Sequence, residues 1–570
     1  MTISSTRPTP GQEPGPDTAP STAVLDSAHV GDIVGALGTI RQDDTGRRRT
    51  WWERVRTLLV IMGPGLIVMV GDNDAGGVGT YANAGQNYGM KLVWTLALLV
   101  PVLYVNQEMV VRLGAVSGVG HARLIFQRFG KFWGMFSVGD LFIVNALTLV
   151  TEFIGVTQAL GYFGISNYVS VPLAAVLLFA VVAGGSFRRW ERFLFCLIAL
   201  NVLMFPMVLL SHPSATDTAK GFIPQFPGGL DSTLLLLIVS IVGTTVAPWQ
   251  LFFQQSNVVD KRITPRWIKY EKADLWIGIA VVMIGAIAIM ATAAFVFQGT
   301  DLFGQYQDAG TVAQGLKSHG SHLIGSLFAI ILLDAALVGA NAVSLATTYT
   351  LGDTFKKRHS LHWKISEAKL FYVGYAGLIA LSATITLTTD DHVQGLITQG
   401  VQALAGVLLP SATVFLVLLC NDRPVLGPWV NTVKQNIVAG VIVWTLVLLS
   451  LSLTATVFWP SLSTGTLELG FAIGAGIGVV GGALVVLRSR TQHGSTQGGS
   501  TPAGDRATEP LDRADRKALL TEEQLAWRTP ALDTLTRPAF SPLRKAGLLT
   551  LRAYLVVAVV LMVVKIVQMS

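Results

Sequence analysis

The chain has 570 residues, of which 51% are hydrophobic and 13% charged, whereas about a quarter of the residues in an ordinary soluble domain are charged. This composition excludes a water-soluble globule, and two cysteines alone exclude a small disulfide-built domain. The formal net charge of +7 is explained by basic loops on one membrane face and does not indicate a nucleic-acid partner.

The N-terminal residues 1–46 are rich in Pro, Thr, Ser, Gly and Asp. They have too few apolar side chains to offset the entropy of ordering, so we predict a disordered cytoplasmic N-terminus. Beyond them, repeated apolar runs of roughly 18 to 25 residues have the length of a helix that crosses a bilayer. These runs lack the alternation of barrel strands and are therefore predicted to be helices.

The predicted organisation is a transporter core at 47–458 with eleven helices, an accessory helix at 459–488, a polar cytoplasmic linker at 489–545 and an accessory C-terminal helix at 546–570. Lys and Arg are concentrated in alternate loops, which favours a multi-pass protein of the cell membrane with a cytoplasmic N-terminus. The predicted spans are 57–88, 91–113, 133–163, 168–184, 190–210, 232–258, 272–298, 324–352, 367–389, 394–420, 433–458, 466–487 and 548–567.

Two of these spans contain residues that interrupt a helix. The first span includes Gly71, Asp72, Asn73, Asp74, Ala75, Gly76 and Gly77 in succession. Glycines tolerate non-helical dihedral angles, and carboxylates at membrane depth are too costly to face lipid. The sixth span carries Pro248 in its middle, which removes one backbone hydrogen bond and frees a carbonyl group.

The two breaks lie five helices apart, in spans one and six. A repeat unit with an odd number of spans returns in the opposite orientation, so we predict inverted repeats of spans 1–5 and 6–10. Their broken helices would meet at a binding site near the middle of the membrane. Because Asp72 and Asp74 supply negative charge there and freed carbonyls supply oriented dipoles, a cation is the expected ligand. A proline kink alone would be a structural feature, but two matched breaks indicate a site.

The residues that carry these breaks resemble a known family. Gly63-Pro64-Gly65 followed by Asp74-Ala75-Gly76-Gly77 resembles the first-helix motif of the NRAMP divalent metal transporters, in which the family reads Asp-Pro-Gly-Asn. The run 243–261 resembles their sixth helix, usually Ala-Thr-Val-Met-Pro-His-Asn. Glu152 in span three and Gln402 in span ten match further positions. The resemblance covers about 57–458 and implies an all-α, inverted-repeat fold of the leucine-transporter type.

The sequence departs from the family at several of these positions. The family's first-helix Asn is Gly77 here, its sixth-helix Met is Ala247 and the following His is Trp249. A second His of that helix aligns with Gln254, and an Asp three positions before Glu152 is Leu149.

The departures favour a branch of the family related to magnesium transporters. Loss of the thioether leaves an all-oxygen site, and small residues leave room for the waters that Mg²⁺ retains. Trp249 and Leu149 cannot relay protons, which favours transport without tight proton coupling. The expected metal-binding residues are Asp72, Asn73, Asp74, Gly77, Thr244, Ala247 and Gln402, with helix breaks at Gly71, Gly76 and Pro248.

Other polar residues are candidates for an ion or proton path, namely Glu152, Trp249, Gln254, Asp334 and Asn341. The structural alternative for Glu152 is a hydrogen-bonded interhelical residue, and for Asp334 and Asn341 it is a buried polar seam on one helix face. We expect uptake of Mg²⁺ or Mn²⁺, with the metal as substrate, membrane lipids as surroundings and no cofactor. The alternatives are a proton-coupled Mn²⁺/Fe²⁺ transporter, an organic-solute carrier of the same fold, or a non-transport membrane protein. The sequence contains no catalytic motif, so an enzyme is not expected.

Overall fold

The computed structural model describes residues 22–459, 462–494 and 521–538, and a few positions between 545 and 556. Within these residues, ten helices are long and apolar enough to cross a membrane, and Asn167–Ala183 is a shorter apolar helix. The chain is an all-helical, multi-pass membrane protein, and the predicted fold class is confirmed. A single two-stranded antiparallel sheet, Ile33–Gly35 with Gly38–Ile40, is present in the described part.

The helices follow one another with short connections. In chain order they are Trp51–Ile61, Pro64–Val70, Ala75–Tyr88, Val93–Ser117, His121–Phe129, Lys131–Tyr162, Asn167–Ala183, Phe187–Leu200, Met204–Leu210, Ala215–Lys220, Ser232–Thr245, Pro248–Asp260, Ile268–Phe297, Ala309–Gly315, His322–Phe355, Lys369–Thr388, Asp391–Cys420, Arg423–Leu426, Val433–Phe458 and Thr464–Gly494.

The first and sixth spans are each built from two half-helices. In span one, Pro64–Val70 is the inner half and Ala75–Tyr88 the outer half. In span six, Ser232–Thr245 is the outer half and Pro248–Asp260 the inner half. Here "inner" denotes the face with the basic loops, which is predicted to be cytoplasmic. The broken helices open two successive sets of five spans, which is the inverted-repeat arrangement.

The unbroken spans enclose the two breaks. Span seven, Ile268–Phe297, packs along both halves of span one, and span ten, Asp391–Cys420, packs along the outer half of span six. Span eight, His322–Phe355, packs along span three, Lys131–Tyr162. These contacts bring spans one, three, six, eight and ten together around the polar residues of the breaks.

Residues 22–46 form regular structure, although the sequence predicts disorder for the whole of 1–46. They contain a short helix, Ser27–His29, and the hairpin of Ile33–Gly35 and Gly38–Ile40. Span one was predicted to begin at residue 57, but residues 57–61 belong to the separate helix Trp51–Ile61, which ends at a turn of Met62 and Gly63 before the half-helix Pro64–Val70. The composition of 1–46 as a whole suggested disorder, but Ala23, Ile33 and Ile40 are buried in the core, and the transporter supplies hydrogen-bonding partners for the backbone of this segment.

The C-terminal region is only partly described. The helix Thr464–Gly494 extends beyond the predicted accessory helix. In the predicted linker, residues 521–526 are helical, and Trp527 donates a 3.1 Å hydrogen bond to the Val425 carbonyl. Most of the predicted last span, 548–567, lies outside the described residues.

Candidate metal-binding site

The break in span one is built around a helix cap. Asp74 has extended backbone dihedral angles, and its Oδ1 accepts a 2.6 Å hydrogen bond from the Gly77 amide, which begins the outer half-helix. Between the half-helices, the amides of Asp72 and Asn73 donate to the carbonyls of Met69 and Val70 at 3.2 and 3.1 Å. The segment thus turns tightly, and its polar side chains stay inside the protein.

Asp72 and Asn73 have unsatisfied acceptors. The Asp72 side chain is 0% exposed, and neither carboxylate oxygen has a hydrogen-bond partner among the described residues. Asn73 donates through Nδ2 to the Val282 carbonyl at 3.2 Å, while its Oδ1 has no partner within the described part of the chain. Buried acceptors without donors are costly, and a positively charged partner would relieve that cost.

The break in span six exposes oxygen atoms to the same region. Pro248 begins the inner half-helix and has no amide hydrogen, so the Thr244 carbonyl, four residues earlier, lacks its usual helical donor. The Thr244 Oγ1 is also buried without a partner in the described ranges. The Ala247 carbonyl accepts one long bond of 3.3 Å from the Gln250 amide. Its second lone pair leaves it able to accept again.

The two breaks lie against one another. A methyl group built on Gly77 would lie 3.0 Å from the Thr244 Oγ1 and 3.3 Å from the Asp74 Oδ1. The predicted ligand residues Thr244 and Asp74 therefore lie on either side of this glycine, close to each other. On the outer side, the hydroxyl groups of Tyr81 and Thr245 are 2.8 Å apart. The structure therefore brings together ligand candidates that are 170 positions apart in the chain.

Span ten contributes Gln402 to the same place. The Gln402 side chain lies directly over Gly76, where a methyl group would overlap its amide. Its Nε2 has no hydrogen-bond partner among the residues that are described. Because the oxygen and nitrogen of an amide are assigned from hydrogen bonding, the side chain can equally present Oε1 to a cation. Gly76 therefore serves close approach of Gln402 rather than only flexibility.

Glu152 of span three adjoins the break in span one. Its Oε2 accepts a 3.1 Å hydrogen bond from the Ala75 amide, and its Oε1 has no partner in the described structure. A methyl group on Gly339 of span eight would lie 2.8 Å from both the Asp74 Cβ and the Glu152 Oε2. Glu152 thus lies beside Asp74, at the edge of the candidate site.

Two other predicted path residues lie elsewhere. The Asp334 Oδ2 accepts a 3.1 Å hydrogen bond from Asn201, and the Asn341 Oδ1 accepts a 2.6 Å bond from the Trp190 indole. Both partners belong to span five or its continuation, so these residues form a seam between spans five and eight. Their role in an ion path stays a prediction.

The remaining predicted path residues lie on the inner half of span six. The Trp249 ring is buried against the break in span one, with its Cη2 3.2 Å from the Cβ position of Gly71. Gln254 is buried, and neither of its amide atoms has a partner in the described regions. The indole lies in the wall of the site, and its Nε1 has no hydrogen-bond partner among the described residues.

Sequence reasoning missed a buried ionic cluster below the site. Lys261 and Glu191 form an ion pair of 2.6 Å, and both side chains are 0% exposed. Lys261 also donates to the Met62 carbonyl at 2.8 Å. Asp274 accepts from the amides of Gly63 and Gly65 at 3.0 and 2.7 Å. The available signal was four charged residues next to or within apolar spans, Glu191, Lys261, Glu271 and Asp274.

No group of three or more His, Cys, Asp and Glu side chains that could hold a metal ion occurs in the part of the chain that is described. The candidate site instead combines two carboxylates with amide, hydroxyl and backbone oxygens. Such a set of hard ligands suits Mg²⁺ or Mn²⁺. The half-helix ends directed at it carry partial charges, with carbonyl ends attracting a cation.

Comparison with known proteins gives a consistent result. The family model Nramp, described as natural resistance-associated macrophage protein-like, matches residues 65–456. A protein of Latilactobacillus sakei named divalent metal cation transporter MntH is 27% identical over 401 residues, which are 66% of this chain and 84% of that protein. Divalent metal cation transporter MntH 1 of Pseudomonas aeruginosa is 28% identical over 424 residues, 71% of this chain and 93% of its own.

Solved structures show the same fold. The chain is similar to a manganese transporter of Eremococcus coleocola, crystallised with an aromatic bis-isothiourea compound, with a TM-score of 0.58 and 21% identity. That comparison covers 82% of this chain and 98% of the other. A mutant of the same transporter gives a TM-score of 0.59.

Proposed function

The chain belongs to the Nramp family, and on this premise we propose that it carries divalent metal cations across the membrane through the site between the breaks of spans one and six. The observation that carries the proposal is the fully buried Asp72 carboxylate, whose two oxygens lack partners in the described residues, two positions from Asp74. A cation between two neighbouring buried carboxylates would stabilise both of them.

The proposed coordination centres on Asp74. Asp72, Asn73 and Gln402 supply further side-chain oxygens, and the carbonyls of Thr244 and Ala247 supply backbone oxygens. Gly77 has no side chain, which lets the oxygens of Asp72, Thr244 and Asp74 approach one another closely. Relatives named as divalent metal cation transporters support this class of substrate. The proposed activity is transport and not catalysis.

The proposed substrates are Mg²⁺ and Mn²⁺. Ala247 lies at the break in span six and offers no sulfur, and the other proposed ligands are all oxygen donors. Mg²⁺ prefers such ligands and dehydrates reluctantly, while Mn²⁺ accepts them. One of the similar structures is that of a manganese transporter, and its likeness to this chain is a likeness of fold.

The proposed direction is uptake, driven by an inside-negative potential worth about 2.3 kcal/mol per charge per 100 mV. Trp249 and Leu149 are both buried and cannot exchange protons, which supports transport without tight proton coupling. The alternative is proton-coupled transport of Mn²⁺ or Fe²⁺, and Glu152 favours it, because this carboxylate lies beside Asp74.

A carrier of organic solutes is the second alternative. Carriers that bind a carboxylate substrate usually present free amide groups at the break in span one. Here the Gly77 amide is already bonded to Asp74, and the Ala75 amide to Glu152. These contacts argue against an anionic substrate at this site.

The test is flux into proteoliposomes that contain the purified protein and an indicator for Mn²⁺ or Mg²⁺. We expect both ions to enter faster than into protein-free liposomes, and an inside-negative potential to accelerate entry. Asp74→Asn protein, reconstituted at equal density, is the matched control. If both ions enter vesicles with wild-type protein and vesicles with Asp74→Asn protein at the same rate, the proposal is contradicted.

A further inference from the structure

Residues 22–46, which we call the N-terminal cap, bind the inner face of the transporter through their backbone. Arg262 donates to the carbonyls of Ala28 and Asp32 at 2.8 and 3.2 Å. Arg188 donates to the Gly35 carbonyl at 3.2 Å, and Arg192 donates to the Ala36 carbonyl at 2.9 Å. Basic residues of the helix Phe187–Leu200 and of the loop after Pro248–Asp260 thus hold the cap from two sides.

The cap is also tied to the other end of the chain. The Ala23 amide donates a 3.0 Å hydrogen bond to the Thr529 carbonyl, and the Thr529 hydroxyl donates to the Val425 carbonyl at 2.8 Å. Thr529 and Ala23 are both buried. The cap is therefore held between the inner ends of the spans and the segment 521–538.

A continuous chain of polar contacts connects the cap to the inner half of span one. The Ala36 amide at the tip of the hairpin donates to the Glu191 Oε2, and the Glu191 Oε1 pairs with Lys261 at 2.6 Å. Lys261 then donates to the Met62 carbonyl at 2.8 Å, immediately before the half-helix Pro64–Val70. The cap therefore bonds the ion pair that holds the beginning of this half-helix.

The same position is held from span seven. Asp274 accepts hydrogen bonds from the amides of Gly63, Gly65 and Leu66 at 3.0, 2.7 and 3.2 Å. Gly63 has a φ of 155° and lies so close to Glu191 and Lys261 that a side chain would not fit. This backbone conformation favours glycine and lets the ion pair reach the peptide.

We propose that the N-terminal cap is a latch that holds the inner half of span one in its closed position and releases that half-helix when the cap undocks. Glu191 and Lys261 are fully buried, and removing one partner of such a pair leaves an uncompensated charge. The half-helix cannot leave without separating Met62 from Lys261, and the cap supplies one of the hydrogen bonds that keep Glu191 in place. Docking of the cap and position of the half-helix are therefore coupled.

The buried charged groups around this latch come from spans five, six and seven. Span five contributes Glu191, the end of span six contributes Lys261, and span seven contributes Glu271 and Asp274. The latch acts by geometry and not by the identity of the transported ion, so its test does not require transport.

The test uses Ala36→Pro, which removes the amide hydrogen that bonds Glu191 and places a ring carbon against that carboxylate, so that the tip of the hairpin can no longer bond to it. Ala36 and Leu37 form the two-residue turn of the hairpin with negative φ, and proline is favoured at the first such position. Leu37→Ser is the matched control, because the Leu37 side chain is 56% exposed. Both are made in full-length protein with Cys196→Ser, Cys420→Ala and a reporter Val68→Cys on the buried inner half-helix.

The readout is the rate at which a membrane-impermeant maleimide, added from the cap side, labels the reporter cysteine. Loss of a hydrogen bond to a charged group should speed labelling by roughly tenfold or more in Ala36→Pro, with no change in Leu37→Ser. A second variant, Arg188→Gln with Arg262→Gln, releases the cap without touching Glu191 and should act in the same direction. Equal labelling rates in properly folded, monodisperse samples of the reporter protein and both cap variants would overturn the proposal.

Discussion

The Asp74 carboxylate accepts a 2.6 Å hydrogen bond from the Gly77 amide, at the point where the chain resumes its helix inside the membrane. The acceptor geometry of this carboxylate stabilises the helix, and its negative charge would stabilise a cation. Structure and transport depend on the same side chain but on different properties of it, namely its acceptor geometry and its charge.

Asp74→Asn should separate these two properties. Asparagine caps a helix about as well as aspartate, so the thermal unfolding temperature should stay close to wild type. Loss of a residue that only supports a metal ligand typically lowers metal affinity or activity by roughly 10- to 100-fold. Asp74 is proposed as a direct ligand, so metal flux should fall by more than that. Asp74→Ala should lose both flux and about 1 kcal/mol of stability. Wild-type flux in the asparagine variant would remove Asp74 from the site.

Gly76→Ala should disturb Gln402, since the added methyl group would overlap the amide. We expect a loss of about 1–3 kcal/mol in the free energy of unfolding, together with reduced flux. Adding Gln402→Ala should restore the stability but not the flux. Gly377→Ala, where nothing lies within 4 Å of the new methyl group, is the control. An unaltered Gly76→Ala protein would mean that Gln402 moves aside freely.

Pro248→Ala should repair the break in span six. The new amide hydrogen can donate to the Thr244 carbonyl four residues earlier, so the helix can continue and a proposed ligand is lost. Flux should fall while the thermal unfolding temperature stays equal or rises. Pro410→Ala is a suitable comparison, because Pro410 lies within a continuous helix in span ten. Equal flux in both variants would show that the Thr244 carbonyl is dispensable.

Ala247→Met should change selectivity. The added thioether narrows the site and supplies a sulfur that Mg²⁺ uses poorly, so Mg²⁺ flux should fall more than Mn²⁺ or Cd²⁺ flux. All three ions should be compared in one vesicle preparation, because an equal loss of all three would indicate only obstruction. If the unaltered protein carries Mn²⁺ and excludes millimolar Mg²⁺, Ala247 does not set selectivity.

Metal uptake should not acidify the vesicle interior. A pH-sensitive dye enclosed with the protein should report no proton entry during Mn²⁺ or Mg²⁺ uptake, because buried Trp249 and Leu149 replace groups that could relay protons. An imposed pH gradient should likewise fail to drive accumulation of metal. Acidification that tracks metal entry and disappears in Glu152→Gln would establish Glu152 as a proton carrier.

The sequence by itself determined the membrane class, the family, the two breaks and the carboxylates within span one. These properties are local, because the length of an apolar run, a glycine-rich segment and a proline each act within a few residues. Asp72, Asn73 and Asp74 could therefore be placed in a break before any contact between spans was known.

The tertiary structure alone decided which distant residues share a site and which segments are ordered. Gln402 lies over Gly76 and Glu152 beside Asp74, whereas Asp334 and Asn341 pack against span five instead. The cap is ordered although its composition predicted disorder. Contacts such as the hydrogen bond from Ala36 to Glu191 join residues 155 positions apart and cannot be read from local composition. Ile33 and Ile40 of the cap join the buried core, and charged side chains of the core bond its backbone. Together these contacts offset an ordering entropy that the segment could not offset alone.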